Sequence, residues 1–131
     1  MALDPNRWTL KTQEAFNAAL ESARSRNNPE VTPDHLLLAM LGQESTVALP
    51  VLSKVGLAPL AVRNRTEDAL AKLPRGYSKG GASEVQVSRE LRDTLAQADG
   101  ERSGLGDEYL SIEHVLLALA ERLKVSRDDL A

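Results

Sequence analysis

The chain has 131 residues, no cysteine, 3% aromatic residues and a formal net charge of −3. That length suits one domain with a proper core, and 42% hydrophobic with 27% charged residues is the make-up of an ordinary soluble globular protein. The lack of cysteine excludes a disulfide frame, thiol catalysis and a thiolate metal site, and the mild negative charge leaves no footprint for nucleic acid. No stretch is long and apolar enough to span a membrane. Residues 1–8, M-A-L-D-P-N-R-W, lack the apolar region of a signal peptide, so a cytoplasmic location is expected. With so few aromatics, the core must be packed with Leu, Ala and Val.

Thr9 is a good N-cap for a first helix running to about Arg26. Phe16, Ala19, Leu20 and Ala23 recur at helical spacing and give it one apolar face; Asn27, Asn28 and Pro29 stop it. The second helix starts at Pro33, a preferred first position, and ends near Gly42. It is apolar on most faces, which predicts the central buried element. Ser45 or Thr46 then caps a short helix through Val47, Leu49, Val51, Leu52 and Val55, closed by Gly56. Pro59 opens a fourth helix with Leu60, Arg63, Glu67, Leu70 and Leu73 along it, ended by Pro74. Residues 74–87 read as a Gly/Ser-rich connection, mobile at its centre. Its Gly-Gly pair beside a lysine is no phosphate loop, since the Walker spacing and a preceding strand are both missing.

Ser88 caps a fifth helix with Leu91, Leu95 and Ala98 on its inner face. Gly100 interrupts it, and Ser103-Gly104 with Gly106 predicts a looser exit than that of the first helix. Ser111 caps a sixth helix to about Leu123. Ser126, Arg127, Asp128 and Asp129 then read as the first turn of another.

One helix start is used twice. V-T-P-D-H-L-L-L-A-M-L (Val31–Leu41) and L-S-I-E-H-V-L-L-A-L-A (Leu110–Ala120) share a hydroxyl cap (Thr32, Ser111), a first-turn acid (Asp34, Glu113) that suits the helix dipole, and then a histidine (His35, His114). The offset is 79 residues and holds without a gap back to Thr9, which falls on Ser88, with Asn28 on Asp107. An internal duplication of this kind sets the architecture. The chain is expected to be all-α, two helical copies related by a pseudo-twofold axis across a shared core. The first covers about 9–74, residues 75–87 are the linker, and the second covers about 88–131. The second copy is shortened, because Glu121-Arg122-Leu123 runs almost directly into Val125-Ser126-Arg127.

The two histidines occupy equivalent places in separate copies, with no acid–His cluster at ligand spacing, so buried helix histidines are expected rather than a metal pair. No G-x-S-x-G or other nucleophile setting is present, and no catalysis is expected of this chain.

R-W-T-x-K-T-Q-E-A (Arg7–Ala15), T-P-D-H-L-L-L-A-M-L (Thr32–Leu41), A-L-A-K-L-P (Ala69–Pro74) and G-D-E-Y-L-S-I-E-H-V-L-L-A-L (Gly106–Leu119) resemble the N-terminal domain of the Clp/Hsp100 chaperones. The likeness covers nearly the whole chain and is greatest to the ClpB-type disaggregases. It implies an all-α domain of two four-helix repeats, flexibly joined to a hexameric AAA+ ATPase and engaging unfolded or aggregated polypeptide. ATP and magnesium would belong to that ATPase, and the domain needs no cofactor of its own. It also implies a monomer when isolated, and substrate contact at Thr9, Asp107 and Glu113. Trp8, Leu10, Leu95 and Tyr109 flank that trio and are candidates for the apolar walls of a groove. Trp8 stands out because it precedes the helix and has no obvious core partner. The alternatives are an adaptor-docking domain of a ClpC- or ClpA-type unfoldase and a free-standing protein of the same fold. Read from spacing alone, Thr9, Asp107 and Glu113 are an N-cap, a loop-closing acid and a first-turn acid.

Overall fold

A computed structural model describes residues 5–43, 48–54, 56–73 and 85–130. Among these residues there are six α-helices: α1 (Leu10–Ser25), α2 (Pro33–Leu41), α3 (Ala48–Lys54), α4 (Pro59–Ala71), α5 (Arg89–Gly104) and α6 (Ile112–Leu130). Two two-residue strands, β1 (Glu30–Val31) and β2 (Gln86–Val87), pair in parallel. The expected caps at residues 45–46 and the stop at Pro74 lie outside the described residues, as does the centre of the 74–87 connection.

The caps explain the helix starts. Thr9 is extended (φ −65°, ψ 161°) and its Oγ1 accepts from the Thr12 amide at 3.3 Å. Ser88 is extended in the same way and its Oγ accepts from the Leu91 amide at 3.1 Å. Each bond satisfies one of the amides a helix N-terminus leaves open.

The exits match as well. After α1, Asn27 takes φ 58° and the Asn28 amide reaches back to the Ala23 carbonyl at 2.9 Å. After α5, Gly106 takes φ 74° and the Asp107 amide reaches the Arg102 carbonyl at 3.0 Å. Both are Schellman-type ends with a left-handed residue, glycine in one and asparagine in the other, the two residues that tolerate it best. The exit of α5 is therefore not the looser one. Nor does Gly100 interrupt α5, which runs on through it to Gly104.

Helix α2 is the hub, as expected. Pro33, His35, Leu36, Leu37 and Met40 are buried, and it packs against α1, α3, α4, α5 and α6. Helix α1 meets it with a row of small residues, Thr12, Ala15, Ala19 and Ala23. Phe16 and Leu20 flank that row, half-buried. Across the hub, α6 contributes Val115, Leu116, Ala118, Leu119 and Ala120 to the same core.

Two further expectations need correction. Helix α6 is continuous from Ile112 to Leu130, so Ser126 starts no new helix. No Gly or Pro lies within that span, and a cap-like residue without a breaker before it does not end a helix already propagating. The 74–87 connection also ends in a strand. Glu84-Val85-Gln86-Val87 alternates at period two, but four residues are too short for that pattern to decide. The strand forms because it lies against β1, with the Gln86 amide donating to the Pro29 carbonyl at 3.0 Å.

Candidate functional site

The segment before each long helix crosses over to the segment before the other copy's apolar helix. The Thr9 amide donates to the Leu110 carbonyl at 3.0 Å, and the Leu110 amide to the Arg7 carbonyl at 2.8 Å, making a parallel bridge between Trp8 and Leu110. At positions 79 residues away, the Ser88 amide donates to the Val31 carbonyl at 3.0 Å, and Val87 pairs with Val31. The start of α1 is thus bolted to the start of α6, and the start of α5 to the start of α2. In the first corner Thr12 Oγ1 adds a buried bond to the Leu110 carbonyl at 3.0 Å.

The histidines close both helix starts, a role the sequence reading missed. His35 Nδ1 accepts from the Thr32 amide at 2.9 Å and His114 Nδ1 accepts from the Ser111 amide at 2.9 Å. In a capping box this third helical position holds Glu or Gln; here an imidazole reaches back to the cap residue instead. Its other nitrogen is held from seven residues upstream, His35 Nε2 by Asn28 Oδ1 at 2.9 Å and His114 Nε2 by Asp107 Oδ2 at 2.8 Å. Since Nδ1 accepts, Nε2 carries the proton in both rings. The S/T-x-x-H spacing, together with Asn28 and Asp107 at the same offset, was the available signal. Burial, and next the positive charge of Arg26, push the His35 pKa down from 6.5 to about 4. Among the described residues no group of three or more His, Cys, Asp or Glu is placed to hold a metal ion.

The sequence-derived candidates divide. Thr9, Leu10, Tyr109 and Glu113 lie on the two segments joined at the first corner. Leu10 is 76% and Tyr109 50% exposed, Glu113 projects from the first turn of α6 and is exposed, and Thr9 is half-buried at its cap. Asp107 adjoins them, bound to His114. Trp8 and Leu95 do not line this surface. Trp8 is 5% exposed and packs edge-on against Phe16, with ring centroids 5.1 Å apart at 70°, and Leu95 is 1% exposed on the inner face of α5. Trp8 has a core partner after all, since the bridge to Leu110 turns its side chain inward over α1. Helix spacing alone does not reveal where a residue ahead of the helix points.

Arg102 is a further element at this corner. Its Nε donates to Asp99 Oδ1 at 2.7 Å and its Nη1 to the Asp107 carbonyl at 2.8 Å. The bond from Arg102 lowers the Asp99 pKa, and the same bond raises that of Arg102.

The second corner is built differently. A cleft of about 210 Å³ is lined by Pro33, Asp34, Leu37, Arg65, Ala69, Glu90, Leu119 and Arg122. Asp34 is the counterpart of Glu113 yet is half-buried, and burial raises its pKa although Arg122 and Arg65 oppose the rise. At the first corner, Gln43 stands where Arg122 stands at the second, and its Nε2 donates to the Lys11 carbonyl at 3.0 Å.

With this geometry in hand, comparison with known proteins places the chain. The model of the Clp repeat N-terminal domain matches residues 7–128, and the chain belongs to that family. Chaperone protein ClpB of Mycobacterium tuberculosis is 42% identical over 112 residues, covering 86% of this chain but 13% of the relative. The chain therefore spans only a small part of the length of its curated relatives. Among solved structures, the Hsp104 N-terminal domain from Candida albicans superposes with TM-score 0.75 at 21% identity, covering 92% of this chain and 77% of that one. The N-terminal domain of the ClpV1 ATPase from Escherichia coli gives TM-score 0.76 at 26% identity, covering 88% and 69%. The fold is thus the all-α Clp N-terminal fold. Among the described residues, no helix is long and apolar enough to cross a membrane.

Proposed function

We propose that this chain is the substrate-engaging N-terminal module of a ClpB-type disaggregase, taking exposed apolar segments of unfolded polypeptide at the corner of Thr9, Leu10, Tyr109 and Glu113. In this reading the domain is one unit of two copies and catalyses nothing itself. It is a monomer alone and tethered in the whole protein to a homohexameric, ATP- and magnesium-dependent motor in the cytoplasm. Capture on a tether raises the local concentration of substrate at the motor, so weak binding suffices.

The observation that carries the proposal is the exposure of Leu10 and Tyr109 on two segments held together by the Thr9–Leu110 hydrogen bond at 3.0 Å. Large apolar side chains left in water on a rigid frame gain about 25 cal/mol per Å² when a ligand covers them. Glu113 beside them is an acceptor for the peptide's amides. The family match and the identity to ClpB chaperones support the same reading.

Backbone NMR titration with an unfolded polypeptide tests it. Shifts should cluster on Leu10, Tyr109 and Glu113, and Glu113→Ala, shown to be folded by its melt, should weaken them. Shifts clustered instead on Asp34, Glu90 and Arg122 would overturn the assignment of the corner. Binding of a single folded protein with no response to unfolded chains would replace substrate capture by adaptor docking.

A further inference from the structure

Asp107 sits under two restraints. Its carbonyl is held by Arg102, itself fixed by Asp99, and its carboxylate accepts from His114 Nε2. Three residues on, Leu110 is tied to Arg7 and Thr9. The stretch from 107 to 114 is therefore pinned at Asp107, Leu110 and His114, and Tyr109 and Glu113 lie between the pins. The other corner supplies an internal control. There Asn28 does the work of Asp107, with its Oδ1 2.9 Å from His35 Nε2, so a neutral amide oxygen holds the imidazole in this frame. Arg102 is particular to the first corner; its counterpart position is Ala23, and that of Asp99 is Leu20.

We infer that Asp107, acting with His114 and Arg102, is a positioning residue, which sets Tyr109 and Glu113 for an incoming peptide and does not meet that peptide through its own charge. The inference rests on the peptide-binding reading above. A residue that contacts substrate as an anion needs its negative charge. One that orients the first turn of α6 needs only an acceptor oxygen for His114.

The test is affinity of the full 131-residue chain for fluorescently labelled, reduced and carboxymethylated α-lactalbumin, with Tm measured for every variant. Asp107→Asn should bind within about twofold of wild type, while Asp107→Ala and His114→Ala each weaken binding about fivefold, the worth of about one net hydrogen bond. The double variant Asp107→Ala/His114→Ala should be no weaker than the weaker single variant, as for residues acting as one unit. Imidazole ¹⁵N shifts should keep Nδ1 of His114 unprotonated in Asp107→Asn. If Asp107→Asn loses as much affinity as Asp107→Ala, or the two losses multiply in the double variant, Asp107 is a direct contact and the inference fails. Should Asp107→Ala not fold, Arg102→Leu carries the comparison: a loss of about fivefold is expected, and unchanged affinity overturns the role. A wild-type chain that does not bind the probe sinks the peptide-binding reading and this inference together, whereas a binding wild type with a failing Asp107→Asn sinks this inference alone.

Discussion

The two corners of this domain share one set of backbone, cap and histidine hydrogen bonds and present different surfaces. Thr9 and Ser88 cap their helices alike, Leu110 and Val31 receive the crossing amides alike, and His114 and His35 close the following helices alike. Yet the first corner exposes Leu10, Tyr109 and Glu113, while the second sinks Asp34 beside a cleft shared with Arg65, Ala69 and Arg122. Local bonding follows from the repeated residues. Exposure follows from what else packs there: α4 supplies Arg65 and Ala69 to the second corner, whereas at the first Gln43 bonds the Lys11 carbonyl.

The largest difference between the corners should come from Trp8 and its counterpart Val87. Trp8 is core, and Trp8→Ala should cost about 3–5 kcal/mol. Val87 is half-buried, and Val87→Ala should cost nearer 1 kcal/mol. Denaturant melts of the two variants give both values, and equal costs would mean that Trp8 is not part of the core.

The next effect is an acid response from the second corner. His35 is neutral when folded down to about pH 4, whereas the unfolded histidine protonates near 6.5. The unfolded state therefore binds the extra proton between those values, and stability falls as pH drops from about 6.5 to about 4, with no further loss from this group below that. His35→Gln, which keeps a capping-box side chain, should flatten that part of the profile of Tm against pH. An unchanged slope would assign the acid loss to other groups.

Smaller effects separate capping from binding. Thr9→Ala and Ser88→Ala should each cost about 1 kcal/mol by loss of the cap. Only Thr9→Ala should also weaken the unfolded probe, because only its corner exposes the apolar pair; equal losses of affinity would erase the distinction between the corners.

The smallest expected change is at Asp34. Its raised pKa means that the folded state holds the proton longer, so stability falls slightly as pH rises past the ordinary carboxylate value and levels off above the raised one. Asp34→Asn should raise Tm at neutral pH and lose that advantage in acid, whereas Glu113→Gln, at the exposed counterpart, should bring no such rise because it only removes a charge that suits the helix dipole. The two variants melted side by side at pH 7 check this.

Much of the fold was legible. The caps Thr9 and Ser88, Pro33 and Pro59, and the left-handed Gly56 act within a few residues, so they read directly as helix boundaries, whereas Gly106 was misread as a loose exit. The buried hub α2 followed from a run apolar on most faces. Shorter or overridden signals did not read. The Glu84–Val87 alternation was too brief, Gly100 lies within a helix that propagates through it to Gly104, and Ser126 looked like a cap with no breaker ahead of it. At the candidate site, Leu10, Tyr109 and Glu113 were proposed from likeness and position, while the histidine box went unread because imidazole is not the usual capping-box side chain.

Residue order alone gives this protein its family, its helices, its caps and the offset that pairs Thr9 with Ser88, because each depends on near neighbours or on self-similarity along the chain. It does not give the side of the molecule on which Trp8 lies, or the burial of Asp34 against the exposure of Glu113. Those depend on contacts between segments far apart in the chain, such as Trp8 with Leu110 and Asp34 with Arg65 and Arg122, and such contacts form only when the core closes.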